Sequence, residues 1–415
     1  KRYPFFEMGK FVPKRGRLRN GRSVMKTLKL IKKPAAQPRS RQSARARATY
    51  TQSAAAEIKG DPRDRKVSKN LVDLARMTEA EIWNFMLKVD FAKDLHGERC
   101  PVCKNGYLGA KQFRSDGSKP FHRCSSYKCQ HREFPWGQCP LLHHGRRSAP
   151  LQQQLTNLLC LSTTNSVTST IHLTGHARRS VIHTHGLLQN ARKLYVQRKE
   201  KTMTFGSDKR VPAAKWHDIE VDEASFGKML LRPPRSASDH CLAWENWIGI
   251  LRRGHPGSLM LIRSKNTPTL ARSPGPGPIT KDQWKCIAKK HLQNRCVVIH
   301  TDSARAYRET NIPGTVRDQV VHQKKRVFNN KTKRFTWTKP KYVGTVQHSV
   351  DGKRFWRKSG TQTVDSCWRF LKSRIHKNQC MKPGSRAFTV AVKSAQYEYW
   401  TRGMDPWEAM SLLLK

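Results

Sequence analysis

Apolar and polar positions switch between two periods along this chain, and each switch marks a part. Thr78-Glu79-Ala80-Glu81 is a capping box, and Ile82, Trp83, Phe85 and Met86 follow at helical spacing. Residues 150–200 keep that period. Leu155 to Leu161 predicts one helix, Leu173-Thr174-Gly175-His176 a turn, and Ala177 to Asn190 a second helix with Val181, Leu187 and Leu188 on one face. From 215 to 320 strand-like and helix-like runs alternate. Ile219-Glu220-Val221-Asp222 predicts a strand closing at Asp222. Trp244 to Leu251 and Ser258 to Ile262 predict two more, joined by a hairpin turn at Arg253-Gly254-His255-Pro256-Gly257. After a Pro-Gly loop at 273–278, Thr280 caps a helix reaching Leu292, and a strand follows from Val297 to Thr301. Residues 323–360 are basic and aromatic and predict a mobile hairpin or loop, with turns at Gly344 and Asp351-Gly352. Val364 to Lys372 and Phe388 to Tyr399 predict two last helices.

Composition narrows the partners. The chain carries 81 Lys and Arg against 29 Asp and Glu, a formal charge of +52. A polyanion is the expected partner and nucleic acid the foremost one, although a ribosomal-type or chromatin-coating protein has the same charge signature. Residues 1–56 hold sixteen Lys and Arg and a single acid, Glu7, so residues 1–66 are expected to form a disordered basic arm. Its cluster Lys14-Arg15-Gly16-Arg17-Leu18-Arg19 suits phosphate contacts or nuclear import. No apolar run approaches the ~18 residues of a membrane helix, and no signal peptide is expected. The expected location is the nucleus in a eukaryote, otherwise the cytoplasm on the nucleoid. Eleven cysteines in a long basic chain suit a reducing setting with some of them on metal.

Cys100-Pro101-Val102-Cys103 is followed after a hairpin-length insert by Cys124 and Cys129. Two close pairs give four thiolates for one tetrahedral Zn²⁺, the arrangement of a zinc ribbon, with Phe121 and Phe134 able to cover its knuckles. His122, His131 and Cys139 are nearby alternative ligands. Cys160, Cys241, Cys286 and Cys296 read as small buried hydrophobes. In the helical region, the Leu155–Leu161 and Ala177–Asn190 pair reads as a helix-turn-helix, which leaves Arg178, Arg179, His183 and His185 to face DNA.

Three aspartates stand out against this basic background. Asp222 and Asp302 end strand-like runs, and Asp365 opens a helix-like one. Carboxylates do nothing for the affinity of a cationic protein for DNA, but on strand ends and a helix start around one cleft they make a site for divalent ions. Two strands and a helix separate Asp222 from Asp302. That is the layout of a ribonuclease H-like fold, in which a first central strand and a fourth strand bring their ends together.

These residues also carry a resemblance. Asp218-Ile219-Glu220-Val221-Asp222-Glu223-Ala224-Ser225-Phe226-Gly227-Lys228 resembles the first catalytic block of the ISXO-like DDE transposases, the group that includes the Merlin elements. His300-Thr301-Asp302-Ser303-Ala304-Arg305-Ala306-Tyr307 resembles the second block, and the segment Thr361 to Lys372 the third. The order of parts agrees too: helix and zinc ribbon at 67–140, helix-turn-helix at 141–205, catalytic domain at 206–402, and a C-terminal tail at 403–415. The family has Glu where this chain has Asp365, and Asn where it has Gln362, so the third carboxylate is one methylene shorter.

The resemblance implies an α/β chain with a ribonuclease H-like mixed sheet, preceded by a zinc ribbon and a small helix-turn-helix domain. It implies a DNA transposase that holds two Mg²⁺ or Mn²⁺ at Asp222, Asp302 and Asp365 and works as a dimer or larger assembly on transposon ends and target DNA. Lys324, Lys325 and Arg326, with Trp337, Phe355 and Trp356, are candidates for gripping DNA. Glu223 is expected on the opposite strand face, and His322 and His348 are further candidates to approach phosphate or metal. A domesticated, non-catalytic DNA-binding protein and a nuclease of the same fold are the competing expectations.

Overall fold

A computed structural model describes residues 67–113, 120–137, 139–143, 149–163, 166–210, 216–265, 267–308, 310–321, 324–330, 332–350, 352–375 and 381–414. The basic arm assigned to residues 1–66 lies outside them, as does His322.

The helical region starts with α1 (Leu71–Arg76) and α2 (Glu79–Lys88), each opened by a capping box, Asn70 with Asp73 and Thr78 with Glu81. Leu74, Ile82, Trp83 and Met86 from these helices enter a core completed by α3 (Leu151–Ser162), α4 (Val167–Thr174) and α5 (Arg178–Thr202). Gly175, at φ 65°, makes the turn between α4 and α5, a backbone angle that costs glycine nothing. The second helix does not end at Asn190 but runs on to Thr202, because its later turns are buried against a helix from the far end of the chain. Arg192 bonds Glu398, Tyr195 meets Tyr397 edge-on, and Glu200 holds the buried Lys393 ammonium at 2.7 Å.

Residues 403–415 are not a tail among their described positions. Asp405 caps a short helix that puts Trp407 at zero exposure between Phe85 and Phe91, with its indole donating to the Lys69 carbonyl at 2.9 Å. An indole buried on all sides is a large apolar contribution, and it closes the helical core.

Between α2 and α3 lie β1 (Leu108–Phe113), β2 (Pro120–Cys124) and β3 (Arg132–Glu133), an antiparallel sheet in that order. The main sheet comprises β4 (His217–Leu230), β5 (His240–Arg252), β6 (Met260–Arg263), β7 (Thr269–Leu270), β8 (Val297–Thr301) and β9 (Val316–Gln319). Its order is β6-β5-β4-β8-β9, with β7 beside β5. The β4, β5 and β6 pairings are antiparallel, whereas β8 lies parallel to both β4 and β9. Helix α6 (Lys281–His291), capped by Thr280, supplies the crossover to β8. The described residues therefore make a mixed α/β structure with parallel and antiparallel strands in one sheet.

Alternation along β4 separates two layers. Ile219 and Val221 pack with Ile248, Ile250 and Ile299 against Trp284 and Ala288 of α6. On the other face Ala224 and Phe226 pack with Trp247 against α8 (Gln362–Arg374) and α9 (Arg386–Trp400). The first strand does not close at Asp222. Pairing with β5 carries it to Leu230, and only the parallel pairing with β8 ends nearby, at Glu220. The short α7 (Arg305–Arg308) follows β8. The stretch expected to be one mobile hairpin or loop forms two hairpins: β10 (Lys325–Asn329) with β11 (Arg334–Thr338), and β12 (Gly344–Val350) with β13 (Lys353–Ser359). Gly344 opens β12 instead of making a turn. No described helix is long and apolar enough to cross a membrane.

Candidate functional site

Asp222, Asp302 and Asp365 come from three different elements, two strands of the main sheet and a helix packed on it. Asp222 stands on β4 just past its pairing with β8, and Asp302 is the residue after β8. Asp365 sits in the first turn of α8. Asp365 and Trp368 are three apart and share a helix face. The Trp368 indole donates to Asp222 Oδ2 at 2.9 Å, which ties that face of the helix to the strand. The strand neighbour opposite Asp222 is Gly249, where a Cβ would stand 2.7 Å from the Trp368 ring; only glycine leaves the indole room.

The charges of the three acids act on one another most clearly at Asp222. Burial pushes the Asp222 carboxyl up to about 7, and repulsion from Asp365, Asp302 and Glu223 adds to it. Asp302 Oδ1 accepts from the Ala304 amide at 2.9 Å, and Asp365 Oδ2 from the Thr361 hydroxyl at 3.4 Å. Glu223 lies on the opposite strand face, as its position predicts. The buried Tyr307 hydroxyl donates to it, and burial together with Asp302 raises its pKa.

The helix that bears Asp365 is held by a residue the sequence reading passed over. Glu220 is fully buried two positions before Asp222. Its carboxylate accepts from the Thr363 amide at 2.7 Å and the Val364 amide at 2.9 Å, the second and third residues of α8. Thr361, at the N-cap, makes no side-chain cap, so a carboxylate from β4 caps this helix and meets its positive end. Arg253 pairs with Glu220 at 2.6 Å and also donates to the carbonyls of Lys358 and Gly360, where β13 leads into α8. One buried node thus fixes strand, hairpin and helix together.

A second network lies farther along the same face. His300 bridges Asp318 at 2.7 Å and Asp218 at 3.0 Å; His348 reaches Asp318 at 3.3 Å, and Arg357 reaches Asp218 at 3.2 Å. Burial alone would raise Asp218, but His300, Arg357 and Arg253 hold it below the usual carboxylate range. His348 is therefore a buried anchor of β12, not a loop histidine open to phosphate. The signal for this face was in the sequence: Asp218, Glu220 and Asp222 alternate with Ile219 and Val221, so the first half of the strand has an acidic face in a basic protein.

The cysteine cluster is tighter. Among the described residues, Cys100, Cys103, Cys124 and Cys129 are the group of metal-ligating side chains whose ligand atoms all lie within 4.8 Å of one another; the three aspartates do not close that far. The sulfur separations are 3.8 Å for Cys100–Cys129 and 3.6 Å for Cys103–Cys124. A tetrahedron with Zn–S bonds of about 2.3 Å has edges of about 3.8 Å, so the four sulfurs fit zinc. The Gly106 amide donates to Cys103 and the Ser126 amide to Cys124, both at 3.4 Å. Amides from Gly106 and Asn105 bring Cys103 down to about 6, while burial pushes Cys124 up to about 12. The alternative ligands are engaged elsewhere. His122 bonds the Gly109 carbonyl, His131 pairs with Glu133, and Cys139 lies in the helical core. Phe134 likewise joins that core, and Cys286 is exposed rather than buried.

No protein-family model, curated protein or solved structure matches this chain.

The residues expected to face DNA divide. Arg178, Arg179 and His183 are exposed on the first turns of α5, and His183 contacts the His143 ring; His185 is half-buried. Lys324 and Arg326 are exposed; Lys325 lies in β10 with its side chain outside the described set. Trp337 and Trp356 are exposed. Phe355 is not free to grip, since it packs between Trp216 and the buried His348.

Proposed function

We propose that this chain is a DNA transposase of the DDE class, with a ribonuclease H-like catalytic domain, a zinc ribbon and a helix-turn-helix. The observation that carries the reading is that Asp222 on a central strand, Asp302 at the end of its parallel neighbour and Asp365 at the start of a helix are arranged so that the partly buried Asp222 carboxyl is raised by burial and by repulsion from the other two. Three antiparallel strands followed by a helix and a parallel fourth strand support the ribonuclease H-like assignment. The sulfur spacing supports zinc in the ribbon.

In this reading the acids would hold two divalent ions. Asp222 would be shared between them, with Asp302 on one and Asp365 on the other, an arrangement that does not require the outer acids to touch. Such ions would supply an activated water or 3′-hydroxyl and a counter-charge for the leaving oxygen. The protein's own part is positioning. Trp368 orients Asp222, the Ala304 amide orients Asp302, and Glu220 with Arg253 fixes the helix that presents Asp365. The exposed cations of α5 and of the two hairpins suit the phosphate backbone of element ends and target DNA. Pairing of two ends in one complex would call for a dimer or larger assembly.

The test is cleavage of terminal-repeat DNA with Mg²⁺ by wild type and Asp302→Ala. The reading predicts nicks at the repeat end that Asp302→Ala abolishes. Cleavage unaffected by the substitution would sink the two-ion assignment, and binding without cleavage by wild type would favour a domesticated DNA-binding protein.

A further inference from the structure

The two hairpins of residues 324–359 differ in how they are held. β12–β13 is pinned to the main sheet by His348–Asp318 and Arg357–Asp218. Among the described residues, β10 and β11 pair only with each other. Their register sets Arg326 opposite Trp337 and Phe328 opposite Phe335. Strand alternation then puts all four side chains on one face. Phe328 is 44% exposed, Phe335 56% and Trp337 66%. Phe328 and Phe335 meet edge-on at 5.0 Å, and the Arg326 guanidinium lies 4.1 Å from the Phe335 ring centre. Three large rings held open to water beside a stacked guanidinium, on a two-stranded sheet too small to be stable alone, call for an occupant.

The charge decides which. Lys324, Arg326, Lys333 and Arg334 are exposed on or beside the same hairpin, in a chain of net charge +52. A second copy of the chain would set these cations against themselves. A polyanion with flat apolar surfaces satisfies both features, and an unpaired nucleic acid strand offers them together: phosphates for the cations and base faces for the rings. In a duplex the base faces are covered by stacking. We infer that the Arg326, Phe328, Phe335 and Trp337 face is a stacking platform for the unpaired bases of single-stranded DNA. The inference rests on the reading of this protein as acting on DNA, and it names the form of DNA that the hairpin takes. Stacking on rings reads no base edge, so this surface contributes strand-form selectivity without sequence selectivity.

The test uses the full, zinc-loaded chain without added Mg²⁺ or Mn²⁺ and without chelator, so that its outcome is independent of whether the protein cuts DNA. The probes are a labelled oligothymidylate of about twenty nucleotides and a duplex of the same length, titrated at several salt concentrations. The double variant Phe335→Ala/Trp337→Ala is expected to bind the single strand about tenfold or more weakly. Its duplex affinity and its salt slope should stay near wild type, because no charge is removed. Oligothymidylate should also quench tryptophan emission in wild type and less so in Trp337→Ala. Because these rings are exposed, their removal leaves the cores intact, and an unchanged thermal midpoint confirms it. Unchanged single-strand affinity, or equal losses for both probes, would overturn the platform. Dissociation of a wild-type oligomer by the double variant, without loss of DNA affinity, would instead make the face an interface between copies and overturn it equally. If the platform holds and cleavage fails, the protein binds DNA without cutting it; if cleavage holds and the platform fails, only this inference falls.

Discussion

The cysteine cluster and the aspartate cluster are both groups of metal-binding side chains, yet they are assembled in opposite ways. The four sulfurs come from 30 consecutive positions, 100 to 129, on two turns of one small sheet, and already stand at tetrahedral spacing with backbone amides directed at them. The three carboxylates come from positions 222, 302 and 365, on elements that only the complete sheet and α8 bring together, and they do not close to the same extent. The first arrangement suits an ion whose role is to hold the chain. The second suits ions that arrive at a finished fold and relieve a repulsion it has built in, which leaves coordination positions for a substrate.

The largest effect expected from breaking this contrast is at the ribbon. Cys103→Ser with Cys124→Ser should remove about one zinc per chain by elemental analysis, and with it a stabilisation on the order of 10 kcal/mol for that sheet. The acid cluster should keep its ion response. Loss of both responses together would mean that the two sites are not separate.

Glu220 comes next. Glu220→Ala leaves the Arg253 guanidinium buried without its carboxylate and uncaps α8, which should cost about 3–5 kcal/mol in urea unfolding. Asp365→Asn, at an exposed position on the same helix, should cost under about 0.5 kcal/mol. Equal costs would show that the buried node does not hold the helix.

Asp222 sharpens the repulsion itself. A carboxyl at about 7 in the fold, against about 3.9 in the unfolded chain, keeps its proton in the folded state longer than in the unfolded state. Stability is therefore full below about pH 4, falls as pH rises from about 4 to about 7, and levels off above. In the zinc-loaded protein at pH 8, with no Mg²⁺ or Mn²⁺ added, Asp222→Asn should be more stable than wild type by on the order of 2–4 kcal/mol. Adding Mg²⁺ should raise the thermal midpoint of wild type and leave that of the variant in place. A wild type less sensitive to pH over this window than Asp222→Asn would contradict the account.

The smallest effect concerns the coupling. Asp365→Asn removes one of the charges that hold Asp222 up, so the Asp222 titration followed by NMR should move to lower pH. No movement would place Asp365 too far away to share an ion with it.

How much of this was legible in the sequence follows from the range of each interaction. Local signals served well. The Thr78 and Thr280 caps, the Val297–Thr301 strand and the paired cysteines all depend on neighbours within a few positions or on one hairpin. Asp302 and Asp365 stood out because each sits at an element boundary; Asp222 lies inside β4, and the strand end expected there is only the end of the pairing with β8. What supports these acids was not legible. Glu220 meets α8 across 143 positions, and Trp368 reaches Asp222 across 146. Neither pairing leaves a periodic trace. The C-terminal segment misled for a related reason. Trp407 looked like a residue of a tail because the Phe85 and Phe91 rings that bury it lie at the other end of the chain. The acidic face of β4 was the overlooked local signal, since Asp218, Glu220 and Asp222 repeat at the strand period.

The central claim is that Asp222, Asp302 and Asp365 hold divalent ions together. Titration of Mn²⁺ into the zinc-loaded, DNA-free protein, followed by electron paramagnetic resonance, tests it without recourse to cleavage. About two ions should bind per wild-type chain, close enough to couple their spins, and Asp302→Ala should lose that coupling while its zinc content stays unchanged. Mn²⁺ binding by Asp302→Ala with the stoichiometry and spectrum of wild type would contradict the account.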